Sequence, residues 1–559
     1  MAQRAGLPEI VGRILAARGV STDGIEDFLN PTLARSLPDP SVLKDMDKAV
    51  DRLVTAIAQG EKVAVFGDYD VDGATSSALL HGFFQAAGAD LQIYIPDRVK
   101  EGYGPNASAL RRFADSGVRV VITVDCGISA HAALAEAEEA GLDVIVVDHH
   151  AAEPKLPPAW AVVNPNRLDE QDGLGQLAAV GVAFLLVIAL NRRLRSLGHY
   201  TERPEPDLFR WLDLVALGTI CDVVPLTGLN RAIVYQGLKV LARRANRGLA
   251  ALSDVAGVRE APGTFHAGFL LGPRVNAGGR VGEAALGARL MTTDDAEEAR
   301  SIAERLDGYN RERRDIESAV LAEAMSQAEG QGQANSAAVI VSSKGWHPGV
   351  IGIVASRLTE RFARPSLVIA VDDGVGKGSG RSVPGVDLGA AVIAARQAGL
   401  LLNGGGHQMA AGLTIEESSI EAFARFLNQR VGVDIARNKV EPSFGVDGGV
   451  TIGAATDGLL EQLERLAPFG NGNAEPRFVF PRVRIAKAEV VGGAHVRCFL
   501  SDEGGGRMGG IAFRSADTPL GQGLLNARGG VLHLLGVLRK NEWQGRTQVQ
   551  LVISDAARP

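Results

Sequence analysis

Several hydrophobic runs of this chain end on residues that could hold metal ions. Val63-Ala64-Val65-Phe66 leads into Gly67-Asp68-Tyr69-Asp70-Val71-Asp72-Gly73, and residues 120–124 lead into Asp125-Cys126-Gly127. Residues 144–147 lead into Asp148-His149-His150, and a fourth apolar stretch, 212–220, stops at Cys221-Asp222. Brought to one rim, six Asp and two adjacent His suit a pair of hard or borderline divalent cations. One Asp at a strand end is more often a helix N-cap. Four such ends together are harder to explain that way. Crowded carboxylates repel one another and shift each other's pKa values unless cations compensate them.

The elements that must position these residues follow from the same runs. Short β-branched segments bounded by Gly and alternating with helical patterns read as buried parallel strands. Ligands gather at the carboxyl ends of such strands, and all four runs are read in this way. A helix over 73–87 sets Asp72 beside an N-terminus, whose dipole favours negative charge. Residues 1–50 read as a helical leader, and 51–293 as the strand–helix alternation. From 294 to about 327 the only Gly is Gly308, and Ile302, Leu306, Tyr309, Ile316 and Val320 recur at helical spacing. That predicts a strut of roughly 50 Å, with a linker up to residue 334. Residues 335–432 read as a second α/β unit, with strands at 337–341 and 366–371 and a helix over 350–362. Its Gly-rich segments 376–382 and 403–412 read as loops. In 433–559, apolar runs near Val490, Phe499, Ile511, Leu534 and Leu551 are separated by Gly-rich turns, as in a small antiparallel barrel.

Asp70-Val71-Asp72-Gly73, Asp125, Asp148-His149-His150 and Asp222 resemble the four ordered motifs of the DHH phosphoesterase superfamily. The segments 67–76, 97–104 and 217–226 are similar to those of its bacterial single-strand-specific 5′→3′ DNA exonucleases, and the likeness runs from about residue 45 onward. It implies a multidomain α/β protein. A parallel-sheet DHH catalytic domain would be joined by the long helix to a DHH-associated α/β domain, with a C-terminal OB-type β-barrel suited to single strands. Two divalent cations, Mn²⁺ or Mg²⁺, are implied as cofactors. By motif their ligands would be Asp68, Asp70, Asp72, Asp125, His149 and Asp222, with Asp125 as bridge and Asp68 standing where many relatives carry His. Asp148 would orient His149, and His150 would donate to the scissile phosphate.

Basic residues should select the substrate end. Arg98 follows a strand on the metal rim, while Ser379 and Arg381 could meet a terminal phosphate across the cleft, Arg being suited to bidentate contact. Arg274, Asn276 and Arg280 form a further polar group in a Gly-rich context. Gly404-Gly405-Gly406-His407 resembles a phosphate- or nucleotide-contacting motif of the DHH-associated domain. Gly376-Lys377-Gly378-Ser379 lacks the Walker A ending, so ATP is not implied. In the barrel, Arg539, Lys540, Trp543 and Arg546 combine charge and aromatic surface for a single-strand path.

At 559 residues, 46% of them hydrophobic, the chain should fold into three or four domains. A net charge of −7 argues against wholesale attraction to nucleic acid, so basic groups for DNA must line a groove. Three Cys without a Cys-x-x-Cys pair indicate neither a disulfide framework nor structural zinc. No secretory signal or spanning segment is read, so a cytoplasmic protein is expected. The expected partners are single-stranded DNA with a 5′ end and, through the resemblance, a single-strand-binding protein and a repair helicase, with the chain as a monomer. Two competing activities are a small-substrate phosphodiesterase of the same superfamily and a non-catalytic single-strand binder. The strut and barrel oppose the first, and the complete set of acids opposes the second.

Overall fold

The computed structural model describes residues 1–98, 100–171, 173–330, 336–438, 443–543 and 546–559, with the main chain alone at 438, 542, 543, 546 and 547. Five strands, β1 (Lys62–Gly67), β2 (Leu91–Tyr94), β3 (Val118–Val124), β4 (Asp143–Val147) and β5 (Ala161–Val163), form a parallel sheet in the order β2-β1-β3-β4-β5. Successive side chains of a strand point to opposite faces. Val120, Ile122 and Val124 therefore enter one core, while Val121 joins Leu110, Phe113 and Leu134 in another. The strand order reverses between β1 and β3, the place where a doubly wound sheet opens a crevice.

Helix α1 (Val71–Ala86) follows β1, and α2 (Ala179–Ser196) packs on it. The fourth apolar run does not join the sheet. It forms helix α3 (Leu212–Cys221), with Asp222 as its C-cap. Most of this helix is buried, so it is apolar on nearly every side and has no period to separate it from a buried strand.

Beyond a π-helical turn at His266–Leu271, α4 (Gly272–Val281) leads toward the long helix α5 (Ala296–Gly330). At 1.5 Å per residue α5 spans about 52 Å. Ala299, Ile302, Ala303 and Leu306 from its first half lie in the first core, whereas Val320, Ala324 and Ala328 lie in a core of the second α/β unit.

That unit is a sheet of order β6-β7-β8-β10-β9, made of β6 (Val339–Lys344), β7 (Ser366–Asp372), β8 (Val375–Arg381), β9 (Asn403–His407) and β10 (Ala410–Glu416). Both segments expected as Gly-rich loops are thus strands. In β8 the reason is steric. A Cβ on Gly376, Gly378 or Gly380 would lie 2.7–2.8 Å from Ile369, Leu413 or Leu388. Glycine at every second position lets β8 press its bare face on the core and turn Lys377, Ser379 and Arg381 to the other side.

The last sheet has the order β11-β12-β13-β14-β16-β15, from β11 (Gly448–Gly449), β12 (Arg477–Val491), β13 (His495–Ser501), β14 (Arg507–Ala512), β15 (Val531–Trp543) and β16 (Arg546–Ala557). Pairing of β12 with β15 closes it into a barrel. The expected leader over 1–50 divides between two cores. Leu7, Val11, Ile14, Leu15, Ile25 and Leu29 pack with Phe478, Phe480 and Leu551 of the barrel, whereas Leu33, Leu43 and Met46 join the core around α1. Among the described residues no helix is long and apolar enough to cross a membrane.

Candidate active site

The acids reach one rim because their own amides extend the parallel ladder by one step. Asp68 N–H donates to the Val124 carbonyl (3.2 Å), Asp125 N–H to Val147 (3.1 Å) and Asp148 N–H to Val163 (3.2 Å). Asp125 has a φ of 60°, a strained value for a residue with a side chain and of the kind found at functional sites. Asp70 caps α1 by accepting from the amides of Asp72 (2.9 Å) and Gly73 (3.2 Å). Gly73 is required there, since a Cβ would fall 2.3 Å from the Asp68 carbonyl oxygen.

These residues meet in three overlapping groups whose ligand atoms lie within 4.8 Å of one another: Asp68–Asp70–Asp125, Asp125–His149–His150 and Asp72–His149–Asp222. His149 Nε2 is 3.2 Å from Asp125 and 3.6 Å from Asp222. Among the described residues, buried Asp68 Oδ1, His149 Nε2 and Asp222 Oδ2 have no hydrogen-bond partner. Burial, followed by the neighbouring carboxylates, holds Asp68, Asp72 and Asp125 well above the usual carboxylate range and Asp222 at about 7. Burial, then His150, pushes His149 down to about 4, so its imidazole is neutral, the form that ligates. Partnerless inward-facing atoms, mutually repelling acids and a neutral His fit a divalent-cation site. Asp72 has a further task, accepting from Ala179 N–H (2.7 Å) and Val180 N–H (2.8 Å) at the start of α2.

Asp148 orients a different histidine from the one expected. Its Oδ1 meets His150 Nδ1 at 2.8 Å, and it gives His149 only an acceptor for the main-chain amide (2.7 Å). Burial opposes charge on His150, but the bond to Asp148 and the charges of Asp148, Asp222 and Asp68 outweigh it and raise its pKa. With Nδ1 held, Nε2 is left as the donor.

Arg98, Arg280 and Arg381 form a second cluster. Arg98 lies 5.0 Å from the Tyr69 ring centroid and lines a cavity of about 140 Å³ with Arg280 and His347. Burial and then Arg98 lower the pKa of Arg381, and burial, Arg98 and Arg313 bring Arg280 to about 10. Arg280 donates to the Gly349 carbonyl (2.9 Å), and Arg381 to Ser379 Oγ (3.3 Å) and the Gly380 carbonyl (2.8 Å). Neither has a carboxylate partner among the described residues. Gly352, in the first turn of the helix Ile351–Phe362, lies against Ser379 and Arg381, which adds a helix N-terminus to the cluster. An anion would relieve this crowding of cations.

Other expected substrate contacts are engaged elsewhere. Arg274 is an internal brace, paired with Asp307 of α5 at 2.9 Å and donating to the Leu270 carbonyl (2.7 Å). Asn276 Oδ1 accepts from the Val71 amide (3.2 Å) and so steadies the Asp70–Asp72 turn. His407 does line a cleft of about 950 Å³, with Lys377, Arg396 and Asn403 facing Tyr103, Ser129 and His150. In the barrel Arg539 pairs with Glu475 (2.6 Å) and Lys540 with Glu464 (2.8 Å). The side chains of Trp543 and Arg546 lie outside the described residues.

Several residues of the site have no counterpart among the expected ones. Tyr103 donates to the Asp125 carbonyl (2.9 Å) and lies 3.3 Å from His150 Nδ1. Asn164 and Asn166, just past β5, donate to the carbonyls of His150 (2.9 Å) and His149 (2.6 Å). The available signal was Val162-Val163-Asn164-Pro165-Asn166, one more β-branched run ending in polar groups.

The raised carboxylates carry a pH prediction for metal-stripped protein. Between the ordinary carboxylate value and about 7, the folded chain binds protons that the unfolded chain does not, so stability falls as pH rises through that window. His149 acts oppositely below about 6.5, but it is one group against several. Calorimetry in chelator should show the thermal midpoint dropping by a few degrees from pH 5 to pH 8, with Mn²⁺ stabilising most at pH 8. A midpoint that rises across that range would contradict the carboxylate cluster.

A carboxylate–histidine rim on a parallel sheet, facing a cation-lined cleft, defines a metal-dependent phosphoesterase of the DHH type. Residues 62–219 match the DHH family N-terminal domain, 318–432 the DHHA1 domain and 446–555 the RecJ OB domain. The chain is 37% identical over 561 residues to the single-stranded-DNA-specific exonuclease RecJ of Dickeya dadantii, covering 98% of this chain and 96% of that protein. It is 35% identical over 566 residues to the protein of the same name from Escherichia coli, covering 99% and 96%. The crystal structure of RecJ in complex with Mn²⁺ from Thermus thermophilus overlays with a TM-score of 0.81 at 31% identity, over 98% of this chain and 76% of that one. The chain belongs to the RecJ family.

Proposed function

We propose that the protein is a divalent-metal-dependent exonuclease that degrades single-stranded DNA from a 5′ end to 5′-mononucleotides, in DNA recombination and repair. The observation that carries this reading is the meeting of two clusters: acids of which buried Asp68 Oδ1 and Asp222 Oδ2 have no hydrogen-bond partner, and arginines of which Arg280 and Arg381 have no carboxylate partner, among the described residues. The charge of Arg98 is felt at Asp68 and that of Asp70 at Arg280. Asp68, Asp70, Asp72, Asp125, His149 and Asp222 would hold two cations, Mn²⁺ or Mg²⁺. When bound, these supply Lewis acidity for charge on the attacking and leaving oxygens. His150, held through Nδ1 by Asp148, donates from Nε2 to the scissile phosphate. Arg98, Arg280, Ser379 and Arg381 receive the terminal 5′-phosphate and thereby fix the polarity, and His407 contacts the strand across the cleft. Farther along, Arg539 and Lys540 exchange Glu475 and Glu464 for backbone phosphates, which makes capture of long strands salt-sensitive.

The same proposal assigns 51–293 to chemistry, 294–334 to spacing, 335–432 to end recognition and 433–559 to strand capture, after a leader at 1–50. It also includes, from the family resemblance, a monomeric cytoplasmic enzyme meeting a single-strand-binding protein and a repair helicase. The test is product analysis on a 5′-labelled single strand, a 3′-labelled one and a blunt duplex, with Mn²⁺, Mg²⁺ or chelator. Labelled mononucleotide should appear at once from the 5′-labelled strand and only late from the 3′-labelled one. The duplex should persist, and chelator should stop all cleavage. Early release of the 3′ label would reverse the polarity, and cleavage in chelator would remove the metal assignment.

A further inference from the structure

The loop that follows Asp222 is held from the far side of the sequence. Val223 has a φ of 60°, an outlier for a β-branched residue, and it is two-thirds exposed, so core packing does not impose that conformation. What meets it is Asn471. Asn471 Nδ2 donates to the Val223 carbonyl (2.8 Å), and the Asn471 carbonyl accepts from Leu226 N–H (2.7 Å). Close approach depends on two flanking glycines. A Cβ on Gly470 would lie 2.7 Å from Leu226, and one on Gly472 3.0 Å from Pro225.

The clamping segment is itself anchored. Buried Asn473 donates to the carbonyls of Leu466 (3.0 Å) and Pro468 (2.7 Å) and accepts from Arg18 of the leader. Arg231 holds the Ala467 carbonyl (2.7 Å) and the Phe28 carbonyl (2.9 Å). A few residues later the chain enters β12, the strand whose pairing with β15 closes the barrel. A hydrogen-bonded link, completed by the Asn471 side chain, therefore runs from the barrel segment to the residue next to Asp222.

We propose that Asn471 is a positioning residue for the metal site: by holding the left-handed turn at Val223, it sets where the Asp222 carboxylate lies and ties that placement to the barrel. The proposal rests on the reading of Asp222 as a ligand. Groups that orient ligands typically cost 10–100-fold in metal affinity when removed. In the full chain, Asn471→Ala should weaken Mn²⁺ binding, measured by titration calorimetry, about tenfold. The Mn²⁺ needed for half-maximal hydrolysis should shift by the same factor, and the rate at saturating metal should recover. A merely structural contact would lower the metal-free thermal midpoint and leave Mn²⁺ affinity unchanged.

Asp222→Asn separates the two ways of failing. If it binds Mn²⁺ as tightly as the parent, the ligand assignment falls and the proposal with it. If Asp222→Asn is weakened while folded Asn471→Ala is not, the clamp alone is overturned. Should Asn471→Ala not fold, Asn471→Ser carries the same measurement, because it also lacks the amide donor to the Val223 carbonyl while keeping a polar side chain in the loop.

Discussion

Replacing Asp125 should abolish hydrolysis while making the metal-stripped protein harder to unfold. Asp125 belongs to two of the three ligand groups, and its carboxylate lies 3.2 Å from His149 and 4.0 Å from His150. Among the described residues each other acid belongs to a single group. Without it both cation positions lose a ligand, so a loss of at least ~10³-fold, about 4 kcal/mol of transition-state stabilisation, is expected. The stability effect has the opposite sign. Burial and then Asp70, Asp72, Asp68 and Asp222 all disfavour charge on Asp125, so neutralising it removes repulsion from the metal-free fold. Asp125→Asn is the better variant, since Asn accepts the left-handed backbone at this position more readily than Ala. Single-turnover cleavage of a 5′-labelled strand, beside calorimetry in chelator at pH 8, checks both halves. Retention of a tenth of the parent rate by folded Asp125→Asn would refute its role as shared ligand.

The second large effect concerns the 5′ end. Arg381→Ala and Arg98→Ala should each slow cleavage of 5′-phosphorylated strands by roughly 10- to 150-fold, the equivalent of about 1.5–3 kcal/mol for one charge-assisted contact. Strands with a 5′-hydroxyl should change by less than about threefold, because that contact is already missing. Arg381 is half-buried beside Arg98 with only neutral partners, so its removal should not weaken the fold. Competition kinetics with the two strand types in one tube reads the ratio directly. Equal losses on both would mean that the arginines serve the scissile phosphate or the structure instead of the terminal phosphate.

The rim was legible because buried parallel strands advertise themselves as β-branched runs and their polar ends stand out. Asp68, Asp125 and Asp148 each follow such a run closely. Asp222 was placed at the rim for a partly wrong reason, since its run is a ten-residue helix, mostly apolar and buried on nearly every side, which carries no period. The strand β8 was hidden because glycine has poor strand propensity. Only the alternation of Gly376, Gly378 and Gly380 betrays its period of two. Pairings across long stretches of chain were beyond reach. Nothing local announces that Arg274 meets Asp307, that Asp148 chooses His150 over His149, or that Asn471 reaches Val223. Such choices are made by packing, after local structure has formed.

The shared core of the first helices and the barrel has a consequence for biosynthesis. Leu7, Val11, Ile14, Leu15, Ile25 and Leu29 leave the ribosome well before the surface that covers them, which starts near Val450, about 420 residues later. At ~5–20 residues per second the wait is roughly 20–80 s. For that interval a nascent chain with a finished catalytic sheet carries an uncovered apolar ridge, the kind of surface that chaperones engage and that seeds aggregation. Slowing or truncating translation before residue 450 should therefore injure solubility more than a domain-by-domain view of the molecule would suggest.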